Sequence, residues 1–298
     1  MWAVNAAHSG KESFMRRKDN TGKILTVIFF IGLSLLLYPT VSNRWNSFHQ
    51  SQAVSAYSEK ADSLDEDKYA DIWNAAEEYN ASLWGKDNGF YLPKSQKTEY
   101  ESLLNLSGNG IMGYIDIPSI NCVLPIYHGS DEAVLQVGAG HLEWSSLPVG
   151  GESSHCVLSG HRGLPSARLF TDLDKLSEGD RFVLKILNET LTYEVDRILI
   201  VEPEETDPLL IEEGKDYCTL VTCTPYGINT HRLLVRAHRT ENENIINITA
   251  DAVQAEPMIT MVIAEAIILL VLLAVILISD MLKRRAKKNG GDIYGTQN

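Results

Sequence analysis

The chain has 298 residues, 44% of them hydrophobic and 22% charged, which is enough apolar material for one large domain and too much for disorder throughout. Four cysteines exclude a disulfide-dense secreted scaffold, and a net charge of −13 excludes a nucleic-acid binder, which needs basic residues against phosphates. A mean hydropathy of −0.10 conceals two very apolar blocks.

Residues 1–23 are basic, with Lys11, Arg16, Arg17, Lys18 and Lys23 against Glu12 and Asp19. Residues 24–41 form the first apolar block; at about 1.5 Å per residue it reaches roughly 27 Å, close to a bilayer core of about 30 Å. No small-x-small cleavage site follows closely, so the block reads as an uncleaved transmembrane helix.

Residues 42–107 read as a helical N-terminal arm. Val54, Tyr57, Ala61 and Leu64, then Tyr69, Ile72, Trp73, Ala76 and Tyr79, recur at three- and four-residue steps. Gly, Asn and Pro make residues 84–98 a loop, and Glu99 to Leu106 a short helix. From Ile111 the period changes to two. Strands are predicted at 114–120, 123–127, 155–159, 181–187, 191–202, 218–222 and 231–237, with a helix over 168–176. Prolines 118 and 125 suggest sheet edges. Many short strands at this spacing mean a sandwich or closed barrel, here a β-barrel over 108–240. Gly108, Gly110 and Gly113 spell G-x-G-x-x-G, but a strand-like segment follows them, so they read as turns and not as a dinucleotide site.

Residues 241–257 form a linker, and 258–278 a second apolar block reaching roughly 31 Å, with Glu265 near one end. Lys283, Arg284, Arg285, Lys287 and Lys288 make the tail 279–298 basic. Basic flanks stay in the cytoplasm, so both termini are expected there and the middle outside. That middle is strongly acidic, with 34 Asp and Glu against 16 Lys and Arg over 42–257.

The candidate chemistry gathers around Cys223. It ends the strand-like run YCTLVTC, beside the polar turn TPYGINT, where a rigid support exposes a side chain. Strand alternation puts Cys218 on the opposite face, as a core thiol. The returning strand starts with Arg232, which an antiparallel pairing sets across from Cys223. A thiol nucleophile needs a nearby base or cation. His161, in a Gly-flanked loop after the strand HCVLS, is the first candidate; His128, His141, His155 and His231 are weaker. Cys122 and Cys156 sit in apolar runs and read as buried free thiols. No ordered ladder of acids or amides appears, so no metal and no cofactor is expected.

Three segments, SGHRG at 159–163, TLVTCTPYGINTHRLLVRA at 219–237 and GNGIMGYIDIPSINCVLPIYHG at 108–129, resemble the sortase family. The double anchor and helical arm look like class C, the pilin-polymerising sortases. The resemblance implies a mainly β fold: a closed eight-stranded β-barrel with short helices and a helical N-terminal arm, flanked by two transmembrane helices. It implies His161, Cys223 and Arg232 as catalytic residues, with Thr222 at the substrate. It implies cleavage of LPxTG-type sorting signals through a Cys thioester, and transfer to a Lys amine of a pilin as an isopeptide bond. The partners implied are pilin subunits or surface proteins with C-terminal sorting signals, at the cell membrane. A housekeeping-type sortase that anchors proteins to cell-wall peptide is the alternative, and a non-catalytic binding module the next. One departure is clear: the arm lacks the Asp-Pro-aromatic triplet of a class C lid. Trp84, Asp87 and Phe90, within the loop 84–98, occupy about the right place to cover Cys223 or pair with Arg232.

Overall fold

The computed structural model describes residues 21–85 and 91–242, together with Ile268, Leu269, Leu272 and Ile276. The first element is one helix, α1 (Thr21–Asp62), so the apolar block and the start of the arm are continuous. Pro39 lies inside it without ending it. By length and composition α1 can cross a membrane. The second apolar block, 258–278, lies outside the described residues except for four helical positions.

The arm breaks where the sequence supplies a cap. Asp65 accepts a hydrogen bond from the Lys68 amide at 2.8 Å and starts α2 (Glu66–Leu83). α3 (Lys94–Ser102) begins directly after Pro93, inside the segment expected to be loop until residue 98. Proline tolerates a helix start because the first amides have no helical partner. The expected helix over 99–106 is thus shifted toward the N-terminus, and Leu104 instead adopts a left-handed φ of 58°.

The barrel strands are β1 (Ile111–Ile117), β2 (Cys122–His128), β3 (Ala139–His141), β4 (Ser154–Ser159), β5 (Arg181–Ile186), β6 (Glu189–Val201), β7 (Asp216–Thr224) and β8 (His231–Thr240). They close in the order β1-β2-β3-β4-β7-β8-β6-β5. Only β2 with β3 and β4 with β7 are parallel. The short β3 was not predicted, nor was the single turn α4 (Glu132–Leu135); three or four residues are too few to show a period. The helix expected over 168–176 is only a 3₁₀ turn, Leu173–Lys175. Prolines do not mark edges here. Pro118 opens a 3₁₀ turn after β1, and Pro125 sits in β2 one residue before the β3 pairing begins at Ile126. A missing N–H costs no ladder bond on the side where no strand lies. Gly108 and Gly110 take positive φ as turn residues, and Gly113 is paired within β1.

Inward alternation fills the barrel with Ile115, Ile117, Leu124, Ile126, Leu158, Phe182, Leu184, Tyr193, Leu220 and Val235, all buried. The arm is tied to this core by polar side chains as well. Tyr57 donates to the Met112 carbonyl at 2.6 Å and accepts from the Leu187 amide at 2.8 Å. Burial raises its phenol well above the ordinary range. Asn80 on α2 pairs both amide atoms with the backbone of Leu147, at 3.0 and 2.7 Å.

Candidate active site

The site is built at one end of the neighbouring strands β4, β7 and β8. In the antiparallel pair β7–β8, Cys223 is the register partner of Arg232, and Thr224 of His231. In the parallel pair β4–β7, Ser159 is opposite Val221. The chain beyond β4 stays on β7: the Gly160 amide donates to the Val221 carbonyl at 3.0 Å, and the Thr222 hydroxyl donates to the Gly160 carbonyl at 2.7 Å. Carried two residues past Ser159, the parallel register brings His161 level with Cys223.

Gly160 is required by packing. A Cβ there would stand 2.5 Å from the buried Phe170 ring, so any side chain would push the loop, and His161 with it, off the barrel. Thr222 is buried, and its hydroxyl is used on the Gly160 carbonyl, which ties the His161 loop to β7.

The His161 side chain is 26% exposed, and its Nε2 lies 3.4 Å from Oε2 of Glu132 on α4. The Glu132 carboxyl is held below its ordinary range, first by the hydrogen bond from Gln136 and then by His161. Nothing in the sequence marks Glu132, one of 39 acids, because its helix is a single turn. Arg162 links the loop to β7: Nη1 donates to the Thr224 hydroxyl at 3.3 Å, Nη2 pairs with Asp174, and the guanidinium lies 5.8 Å from the Tyr226 ring centroid.

The four weaker candidate histidines have other partners. His155 is buried, with its ring nitrogens on the Leu210 carbonyl at 2.9 Å and the Thr219 hydroxyl at 2.7 Å. Burial pushes its pKa down to about 4. His141 contacts the Tyr100 hydroxyl and the Ser146 carbonyl, and His128 two backbone carbonyls. His231 contacts the Thr230 hydroxyl. Among the cysteines, Cys122, Cys156 and Cys218 are buried free thiols, and Cys223 is half-buried. Burial pushes the Cys122 thiol up to about 12 and Cys218 well above its ordinary range.

The Arg232 guanidinium touches the carbonyls of Asn229 and His231, at 3.3 and 3.1 Å. Among the described residues no carboxylate pairs with it, so its other nitrogens can turn toward a carbonyl oxygen beside Cys223. Trp84 is the C-cap of α2 and is 44% exposed. Asp87 and Phe90 lie outside the described residues, and with them the expected cover over Cys223 and the pairing of Asp87 with Arg232. Among the described residues no cluster of His, Cys, Asp or Glu is placed to hold a metal ion. A cavity of about 330 Å³ lined by Lys215, Asp216, His238 and Arg239 lies at the other end of β7 and is no part of this site.

A half-buried thiol, an imidazole and a guanidinium at one strand end can perform acyl transfer. Residues 115–240 match the family model described as the Sortase domain. The fold is similar to sortase C1 from Streptococcus agalactiae, with 52% identity and a TM-score of 0.61, over 64% of this chain and all of that one. It is similar to sortase C from Streptococcus pneumoniae, with 42% identity and a TM-score of 0.59, over 64% of this chain and 97% of that one. Among curated proteins it is similar to Sortase D of Bacillus subtilis, 34% identical over 115 residues. That match takes in 39% of this chain and spans about half of the relative's length, 55%. The chain belongs to the sortase family of cysteine transpeptidases, and its structural neighbours are sortases of class C.

Proposed function

We propose that the protein is a membrane-anchored transpeptidase that cleaves LPxTG-type sorting signals and joins pilin subunits by isopeptide bonds. The observation that carries this reading is the pairing of Cys223 with Arg232, with His161 brought level by the parallel register of β4 and β7. Similarity to the S. pneumoniae enzyme, whose structure is described in terms of pilin substrate specificity, supports the pilin assignment.

In this mechanism the Cys223 thiolate attacks the carbonyl carbon of the Thr in the signal. A C–S bond forms, and the C–N bond to Gly breaks as His161 gives its proton to the leaving amine. Arg232 donates to the carbonyl oxygen while it carries negative charge. A Lys ε-amine of the next pilin then attacks the thioester carbon. The C–N isopeptide bond forms, the C–S bond breaks, and the amine proton passes to His161. Thr222 and Gly160 hold the histidine loop at the correct height throughout.

α1 is the membrane anchor in this reading. The basic clusters before it and after residue 278 place both termini in the cytoplasm and the catalytic barrel outside, with 258–278 as the second span. Incubation with an LPxTG-type peptide followed by intact-mass spectrometry tests the chemistry. The expected product is an adduct on the wild type that hydroxylamine removes, and none on Cys223→Ala. An adduct of equal amount on Cys223→Ala would overturn the assignment. Adding a pilin with an accessible Lys distinguishes the roles: a ladder of polymers supports the pilin reading, and wall-peptide-linked monomer alone supports anchoring.

A further inference from the structure

α1 both leaves the membrane and grips the barrel, and the positions of its grips orient the domain. Its apolar block ends at Val41. Around that end Tyr38 and Trp45 are exposed, and amphipathic rings of this kind gather at headgroup depth. Just beyond, Oδ1 of Asn43 accepts from the Arg168 amide at 2.7 Å, and Nδ2 of Asn46 donates to the Ser166 carbonyl at 2.9 Å. From Val41 to Asn46 the helix rises about 7.5 Å. The headgroup layer on each side of a bilayer is about 5–7 Å thick. Ser166 and Arg168 thus stand at or just above that layer.

These two residues belong to the loop that starts with His161. In the same loop Gly163 lies beneath Tyr226; a Cβ there would be 3.0 Å from the ring. Tyr226 and Ile228, in the turn between β7 and β8, are 60% and 67% exposed. Farther along α1, Tyr57 reaches Met112 and Leu187, at the opposite end of the barrel. From Asn43 to Tyr57 the helix covers about 21 Å, close to the roughly 23 Å from Asp216 to Cys223 along β7. The helix therefore leaves the bilayer beside the catalytic end and runs away from it along the barrel wall.

We propose that the catalytic end of the barrel rests on the bilayer, with Tyr226 and Ile228 in the headgroup layer of a lipid surface. The inference rests on α1 being a membrane anchor. The contact is apolar and aromatic: Arg168 and Lys175, the exposed cations of the loop, are both paired with Asp172. The acidic domain gains nothing from anionic lipid, so the contact survives high salt and neutral lipid. A donor peptide tethered in the same bilayer reaches Cys223 at high effective concentration, and a soluble peptide does not.

The test uses the full chain in phosphatidylcholine nanodiscs, in a Cys223→Ala background whose other three cysteines are buried. An environment-sensitive fluorophore is attached at Leu35→Cys, Ile228→Cys, Thr230→Cys or Glu213→Cys, one at a time. Lipids carry spin labels at the headgroup or deep in the acyl chain. The expected result is loss of emission at Leu35 with the deep label, and at Ile228 and Thr230 with the headgroup label. Glu213, beyond the other end of β7, keeps its emission, and the pattern is the same at low and high salt. If Leu35 is quenched while Ile228 and Thr230 behave like Glu213, the docking inference is wrong and the anchor stands. If Leu35 is not quenched, the anchor reading falls and the inference with it.

Discussion

His155 is the second residue of β4 and His161 follows its end; Cys218 and Cys223 stand near the two ends of β7. The same two residue types occur at both ends of one parallel strand pair, with opposite surroundings. At the first end His155 has both ring nitrogens occupied, and the buried Cys218 thiol is pushed well above its ordinary range. At the second end His161 has one exposed carboxylate partner, and Cys223 is half-buried opposite a guanidinium. The face of the strand and the cover over each end, and not residue type, separate a core group from a reactive one. Burial penalises the charged forms that acyl transfer needs, while the strand end keeps them accessible on a rigid support.

The largest effect expected breaks the comparison at the thiols. Cys223→Ala should lower transpeptidation at least about 10⁴-fold, as loss of a nucleophile does. Cys218→Ala should leave acylation nearly intact and cost on the order of 1–3 kcal/mol in stability, from a small core void. Peptide turnover and denaturant unfolding of both variants measure this; equal loss of turnover would erase the distinction between the two ends. Next is Arg232→Ala, expected to lower kcat by about 10²–10³ with the fold intact. Lysine at that position should restore only part, since a point charge does not reproduce the guanidinium fork.

The histidine pair is sharpened by pH. The His155 pKa of about 4 in the fold lies below the ordinary histidine value of 6.5, so the unfolded chain takes up the proton first. The stability this group contributes is complete above about pH 6.5 and is lost as pH falls toward about 4, in all about 3 kcal/mol. His155→Gln should flatten the dependence of Tm on pH in that window, whereas His161→Gln should abolish turnover. Identical melting profiles for wild type and His155→Gln would show that the buried imidazole is not the source. The smallest effect is expected at Glu132→Gln. Its carboxylate is 71% exposed, where water screens an ion pair, so kcat should change by no more than about 5-fold. A much larger loss would make Glu132 a positioning residue for His161.

Much of the site was legible because it depends on local geometry. Alternation separates Cys218 from Cys223 by face, and a short turn between two apolar runs brings Arg232 opposite the thiol. Cys223 and Arg232 could therefore be paired before any fold was known. His161 could only be nominated, since 62 residues separate it from Cys223 and no local rule relates them. Thr222 was legible as a neighbour of the cysteine and not as a buried clasp, because its partner Gly160 is equally remote.

Periodicity and residue chemistry alone determined that the chain has an apolar helix, a helical arm and a set of short strands carrying a thiol beside an arginine. Tertiary structure decided that α1 runs unbroken from the apolar block onto the barrel, that β4 lies parallel to β7, and that Glu132 meets His161. The reason is physical: repeats of two and 3.6 residues are written in neighbouring side chains, whereas closing a barrel depends on which distant strands bury each other's apolar faces.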